Sequence, residues 1–184
     1  MKAEDIENYL SQLGRELTRA GVQKPFHVLM IGGAYMLLLV HAPRSTDDVD
    51  IFWLEEDENA LNQAIYVLRN AVHTVAEKNK LEIDWFNYMT HLLMYDQVII
   101  PRGKLWRQYG PLQIRVPPKE YILALKILAG REKDIKDRSI LLQKMNIKTR
   151  QQAQQLLDRY ILSATQEIKA EDIERSLDEL FGEA

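Results

Sequence analysis

The stretches 31–34 (Ile-Gly-Gly-Ala) and 44–51 (Arg-Ser-Thr-Asp-Asp-Val-Asp-Ile) decide the fold of this 184-residue chain. The apolar run 26–31 predicts a buried strand that delivers the glycines at its end. A helix to about residue 41 and a second strand over 48–54 follow it. On a strand, Asp48 and Asp50 point to the same face, with Cα atoms roughly 6.5–7 Å apart.

This spacing favours a site for a metal-bound nucleoside triphosphate. Two carboxylates on one face suit Mg²⁺ or Mn²⁺, and Mg²⁺ commonly binds one or two protein carboxylates together with substrate phosphates. Gly32 and Gly33 let backbone N–H groups approach those phosphates because no Cβ stands in the way. We expect Gly33 to be the residue that takes a positive φ.

The same residues resemble a known family. Gly32-Gly33 and Arg44-x-Thr46-x-Asp48-Val49-Asp50 are similar to the G-G/S and D-x-D signature of the DNA-polymerase-β-like nucleotidyltransferase superfamily. Downstream, 125–137 is similar to the Lys-…-Arg-x-Lys-Asp-x-x-Asp segment of small bacterial nucleotidyltransferase-like proteins, including toxins of the abortive-infection type. The matches span about residues 26–140.

The resemblance implies an α/β (α+β) fold of the polymerase-β-like nucleotidyltransferase type. Its short mixed sheet is flanked by helices, and further helices follow at the C-terminus. We predict a nucleotidyltransferase domain over 1–145 and a helical portion over 146–184 that packs on the same domain. No linker rich in Gly, Ser or Pro divides the chain.

The resemblance also implies a third carboxylate on a neighbouring strand. Residues 81–86 alternate as a strand does, which makes Asp84 the candidate and Glu82, on the same face, its substitute. Asp84 would join Asp48 and Asp50 as a metal ligand or help to deprotonate the acceptor hydroxyl. The alternative is a carboxylate at a strand edge that faces solvent.

Several residues are expected to contact phosphate. Lys126 would reach the β- or γ-phosphate, with Asp134 orienting it, as the resemblance implies. The alternative for Lys126 is a surface lysine in an ordinary ion pair. The alternative for the loop around residue 46 is a set of local turns that bind no ligand. Asp48, Asp50, Asp84 and Lys126 form the predicted catalytic set, and the predicted phosphate-binding set is Gly32, Gly33, Arg44, Thr46, Arg131, Lys133 and Asp134.

The charge of the chain is unevenly distributed. The formal net charge is −3, yet residues 101–150 contain 13 Lys and Arg against 4 Asp and Glu. This basic block can form one surface facing a triphosphate or a nucleic-acid backbone. It can equally be a solvated face that balances the acidic ends of the chain.

Composition restricts the class of protein and its setting. A chain with 46% hydrophobic and 28% charged residues is typical of a globular protein. The sequence has no cysteine, which excludes disulfides and thiolate metal sites, and its four histidines lack ligand spacing. Residues 2–7 lack the features of a signal peptide, and no apolar run is long enough to cross a membrane. We expect a cytoplasmic protein with no membrane partner.

Outside the glycine and aspartate motifs, apolar spacing and turn residues predict the remaining elements. Pro118 should open the helix that ends at Gly130, and Thr149 with Gln152 should form a capping box. The predicted helices are 4–20, 61–76, 118–129, one from about 133, 149–162 and 170–181. Residues 106–109 and 112–116 form either a hairpin or two short edge strands.

The expected function is Mg²⁺-dependent transfer of a nucleoside monophosphate from a nucleoside triphosphate to an acceptor hydroxyl on RNA, such as tRNA, or on a protein. By resemblance the setting is the toxin of a toxin–antitoxin system, with a cognate antitoxin as partner. The alternative is a catalytically inactive nucleotidyltransferase-fold protein that serves as a binding partner or antitoxin. A phosphatase of the haloacid dehalogenase type is disfavoured because Phe52 stands where that motif needs Thr or Val.

Overall fold

A computed structural model describes residues 1–54 and 58–182, which fall into two compact units. The first unit consists of Met1–Leu92 and Arg102–Val116, and the second of Leu93–Pro101 and Pro117–Ala184. Within the described residues, none of the helices is both long enough and apolar enough to span a membrane.

The first unit contains a five-stranded mixed sheet in the order β3-β2-β1-β5-β4. β1 is antiparallel to β2 and parallel to β5, whereas β2 is parallel to β3 and β4 is antiparallel to β5. This confirms the predicted short mixed sheet of an α/β protein. The strands are β1 Phe26–Met30, β2 Val49–Trp53, β3 Phe86–Asn87, β4 Lys104–Tyr109 and β5 Leu112–Val116.

Helices of the first unit cover the sheet and bury its apolar side chains. Leu10, Leu13 and Leu17 lie on one face and are fully buried, as their spacing predicts. Burying each such side chain stabilises the fold by about 1.5–3 kcal/mol. The helices are α1 Ala3–Arg19, α2 Gly32–Leu38, α3 Glu58–Asn79 and α4 Met89–Met94, which begins in this unit.

The predicted strand over 81–86 is wrong. Residues 83–85 form a turn, closed by a 3.1 Å hydrogen bond from the Trp85 N–H to the Glu82 carbonyl. The chain joins the sheet only at Trp85, whose carbonyl accepts from the Val49 N–H at 2.7 Å. Ile83 is 60% exposed, so the apolar alternation did not mark one buried face.

The second unit is built from helices that pack on one another. Gly130, in the left-handed region at φ 58°, ends the first of them as predicted. The capping box is confirmed, because the Gln152 N–H donates to Thr149 Oγ1 and the Thr149 N–H donates to Gln152 Oε1, both at 3.2 Å. The helices are α5 Lys119–Ala129, α6 Ile135–Met145, α7 Arg150–Tyr160, α8 Ser163–Ile168 and α9 Ala170–Phe181, with a 3₁₀ turn at Glu132–Asp134.

The division between the units differs from the predicted boundary at 145/146. α5 packs against α6, α7 and α9, and nearly all of its side chains are buried. A helix this apolar needs cover on several sides, which neighbouring helices provide. The helices after β5 therefore form a core of their own that starts at Pro117.

Candidate functional site

A glycine turn connects β1 to α2 and faces β2. The Ile31 N–H donates to the Asp50 carbonyl at 2.9 Å, and the next residue, Gly32, has a φ of 67°. A Cβ on Gly32 would overlap Asp50 Oδ2. The prediction that Gly33 takes the positive φ is therefore wrong, because Gly32 takes it. The backbone of Gly32 lies directly against the Asp50 carboxylate.

Gly33 packs against the loop that leads into β2. A Cβ there would overlap Thr46 Oγ1 and come within 3.2 Å of an Arg44 terminal nitrogen, Nη2. Arg44 Nε also donates to the Ser45 carbonyl at 3.1 Å, so its side chain is anchored to the loop. The structure thus brings Gly32, Gly33, Arg44 and Thr46 together.

Thr46 connects this loop to the first aspartate. Its side chain is buried, and its hydroxyl lies 3.2 Å from the Asp48 carbonyl and 3.3 Å from Asp48 Oδ1. Asp48 precedes β2 instead of lying within it. A short turn, closed by a buried hydroxyl, therefore orients this carboxylate.

Asp50 is held by two side chains that the sequence did not single out. Its Oδ1 accepts from Asn87 Nδ2 at 3.2 Å and from Thr90 Oγ1 at 3.0 Å. Asn87 lies opposite Asp50 in the parallel pairing of β2 with β3. The register of the two-residue strand β3 puts Asn87 beside Asp50. Neither the composition nor the local periodicity of the sequence predicts this register.

Asp84 does not take the position predicted for a third carboxylate. It lies in the turn before β3, and its side chain is exposed. The side chain of Glu82, just ahead of the turn, is exposed as well. The residue of β3 that lies opposite Asp50 is Asn87. Across residues 1–54 and 58–182, no three His, Asp or Glu side chains are grouped so as to hold a metal ion. Asp48 and Asp50 are still a donor set that suits Mg²⁺, which needs few protein carboxylates when phosphates supply other ligands.

His91 packs against β2, the strand that contains Asp50. Its Nδ1 accepts from the Trp53 N–H at 3.2 Å, and its ring meets Phe52 edge-on with 5.9 Å between ring centroids. Burial lowers the pKa of His91 below its ordinary value of 6.5. The folded state therefore favours the neutral imidazole, which alone can accept the Trp53 hydrogen bond.

We expect the free energy of unfolding to fall as the pH drops below about 6.5, the ordinary pKa of histidine. The unfolded chain then binds a proton at His91 that the folded chain binds less readily, so stability rises with pH across this window. Urea denaturation between pH 5 and 8 measures the effect. His91→Asn keeps an acceptor without titrating, and an unchanged slope in this variant would contradict the assignment.

Lys126 is a buried cation of the second unit. Its ammonium lies 2.6 Å from Asp134 Oδ1 and 2.9 Å from Asp137 Oδ2, and all three side chains are less than 10% exposed. The pairing with Asp134 agrees with the resemblance, and Asp137 adds a second carboxylate. Two buried partners favour a structural role for this lysine over a phosphate contact.

Some cations of the basic block are buried or bonded within the fold. Lys126 is buried, and Arg138 is fully buried and paired with Glu179 at 2.7 Å. Arg115 donates to the carbonyls of Arg102 and Gly103 at 2.8 and 2.9 Å. The block is also divided between the units, since Arg102–Val116 belongs to the first and Pro117 onwards to the second.

The predicted phosphate-binding residues are divided in the same way. Gly32, Gly33, Arg44 and Thr46 lie in the first unit with the aspartates. The other predicted members lie in the second unit, where Arg131 and Lys133 are exposed and Asp134 is buried against Lys126.

Comparisons with protein-family models, curated proteins and solved structures found no match. A functional assignment therefore depends on the residues of the chain itself.

Proposed function

We propose that this protein is a Mg²⁺-dependent nucleotidyltransferase of the polymerase-β-like type, which moves a nucleoside monophosphate from a nucleoside triphosphate to an acceptor hydroxyl. The contact between Gly32 and Asp50 Oδ2 carries the proposal. It puts a backbone without a Cβ, in a left-handed conformation, beside a carboxylate. Phosphates and the metal ion that neutralises them need these two features side by side.

The residues of the first unit divide the work of binding. Asp48 and Asp50 would hold Mg²⁺, which neutralises charge on the α-phosphate and on the departing pyrophosphate. Gly32 and Gly33 offer backbone to the phosphates, and Thr46 keeps Asp48 oriented. The acceptor oxygen bonds to the α-phosphorus as the bond to pyrophosphate breaks, and the proton of the acceptor hydroxyl passes to solvent.

The acceptor and the biological setting are proposed by resemblance alone. We propose RNA, such as tRNA, or a protein as acceptor, and a toxin that a cognate antitoxin restrains. Induced expression in bacteria should then arrest growth, and the Asp50→Asn variant should not. Growth arrest by both the wild type and Asp50→Asn would contradict a toxin that acts through this site.

One observation favours a second candidate, a nucleotidyltransferase-fold protein that binds nucleotide or a partner without catalysis. The resemblance implies a third carboxylate on a neighbouring strand, but the residue of β3 that lies opposite Asp50 is Asn87, an amide. An amide cannot take the proton of an acceptor hydroxyl as a carboxylate does. The two candidates differ in one outcome, since only the enzyme transfers the nucleotide to an acceptor.

Thermal melts with each nucleoside triphosphate test the binding step that the proposal requires. With Mg²⁺ we expect a rise in Tm, because a ligand at 100 times its Kd stabilises the fold by about 2.7 kcal/mol. EDTA should remove the rise. A rise that EDTA leaves unchanged, or no rise with any of the four nucleotides, would contradict the proposed site.

Gly32→Ala tests the contact that carries the proposal, and Gly21→Ala is its matched control. Both glycines have positive φ, 67° and 77°, so either substitution costs about 1–2 kcal/mol of backbone strain. Only at Gly32 does the new Cβ meet Asp50, whereas at Gly21 it meets nothing within 4 Å. We expect both variants to melt lower and only Gly32→Ala to lose Mg²⁺–nucleotide affinity in titrations. Equal affinities would show that the Gly32 contact merely packs the turn.

A further inference from the structure

We propose that Asn87 and Thr90 are positioning residues that fix the Asp50 carboxylate, so that the metal centre has two carboxylates and binds its ion together with the nucleotide. This inference rests on the proposed function. It concerns two residues that the resemblance does not identify.

The first step of the argument is the geometry around Asp50 Oδ1. An amide nitrogen from β3 and a hydroxyl from α4 both donate to this one oxygen, at 3.2 and 3.0 Å. Two donors from different elements prevent rotation of the carboxylate. Its other oxygen, Oδ2, then stays against the backbone of Gly32.

The second step is that Asn87 is itself oriented. Its Oδ1 accepts from the Met89 N–H at 2.9 Å, which leaves Nδ2 to face Asp50. The main chain of Asp50 is held as well, since its carbonyl accepts from the Ile31 N–H. Hydrogen bonds of this kind orient metal ligands, and losing them lowers metal affinity by about 10–100-fold in known sites.

The third step concerns charge. Asp48 and Asp50 contribute two negative charges, and Asn87 contributes none where an aspartate would add a third. A centre with fewer carboxylates attracts a divalent cation less strongly on its own and depends more on the triphosphate oxygens. We therefore expect weak metal binding to the protein alone and much tighter binding when the nucleotide is present.

Mn²⁺ binding, measured by electron paramagnetic resonance with and without a non-hydrolysable triphosphate analogue, tests this inference apart from catalysis. For Asn87→Ala and Thr90→Val we expect about a 10-fold or greater loss of affinity in the presence of the analogue. Thr90→Ser keeps the hydroxyl and should bind as the wild type does. Thr74→Val is the matched control, because Thr74 is exposed and its hydroxyl donates to the Asn70 carbonyl within α3.

Asn87→Asp tests the charge argument in the opposite direction. It adds a carboxylate beside Asp50, so Mn²⁺ affinity without nucleotide should rise at least 10-fold, and Mn²⁺ should raise the Tm of this variant more than that of the wild type. Unchanged Mn²⁺ affinity in Asn87→Ala and Thr90→Val, with normal binding by the wild type, would overturn the positioning role and leave the proposed function standing. A wild type that binds no Mn²⁺ even with the analogue would overturn both.

Discussion

Asp50→Asn is expected to reduce nucleotide transfer by at least about 100-fold, because even the outer partners of metal ligands are worth about 10–100-fold. Asparagine has nearly the same shape as aspartate, and its Oδ1 can still accept from Asn87 and Thr90. The variant therefore loses the negative charge and keeps the local packing. The rate of label transfer from an α-labelled nucleoside triphosphate measures the loss, with circular dichroism as the check on folding.

Asp47→Asn is the matched control for this variant. Asp47 lies in the same loop as Asp48, one residue further from β2, and its side chain is exposed. It should bind and transfer nucleotide as the wild type does, whereas Asp48→Asn should behave like Asp50→Asn. A folded Asp50→Asn protein with normal transfer would show that this carboxylate holds no essential metal.

Lys126→Met is expected to lower the free energy of unfolding by about 3–5 kcal/mol, the typical effect of removing one partner from a buried ion pair. The substitution removes the ammonium that lies 2.6 Å from Asp134 Oδ1 and 2.9 Å from Asp137 Oδ2, and both carboxylates are buried. Two carboxylates that contact the same ammonium lie close together, and their like charges repel strongly where water is scarce. Urea denaturation midpoints at neutral pH give the measurement.

Lys133→Met separates the structural role of Lys126 from a role in phosphate binding. Lys133 belongs to the same predicted motif but is exposed, so its loss should change stability by less than about 0.5 kcal/mol. If Lys126→Met proves as stable as the wild type yet loses nucleotide affinity, the ammonium serves the phosphates and the structural role is wrong.

Local sequence signals predicted the parts of the fold that depend on neighbouring residues. The leucines of α1 repeat with the helical period, and the apolar run before Gly32 marks β1. Thr149 and Gln152 cap α7 through hydrogen bonds that span three residues. Each of these features is decided within a few residues, so a pattern in the sequence is enough to reveal it.

Features set by distant contacts were missed. Residues 81–86 alternate in polarity, but Ile83 points to solvent and only Phe86–Asn87 enters the sheet. That pairing, and not the local pattern, puts Asn87 beside Asp50 and leaves Asp84 in a turn. Pairing between strands far apart in the chain follows the whole packing of the sheet, which one sequence does not display.

The downstream basic motif shows a second limit. Its residues suggested cations facing a phosphate, but Lys126 is buried in α5 and forms ion pairs with Asp134 and Asp137. The resemblance implied that Asp134 orients Lys126, and the two side chains form an ion pair at 2.6 Å. The sequence did not predict burial, since burial depends on how α5 packs against its neighbours.

The most direct test of the central claim compares nucleoside triphosphates labelled at the α- or the γ-phosphate, incubated with the protein, Mg²⁺, total RNA and total cell protein. Nucleotidyl transfer bonds the acceptor to the α-phosphorus, so we predict that RNA or protein takes up the α-label and never the γ-label, and that Asp50→Asn takes up neither. Transfer of the γ-label, or uptake of neither label by an intact wild type that binds Mg²⁺–nucleotide, would contradict the claim.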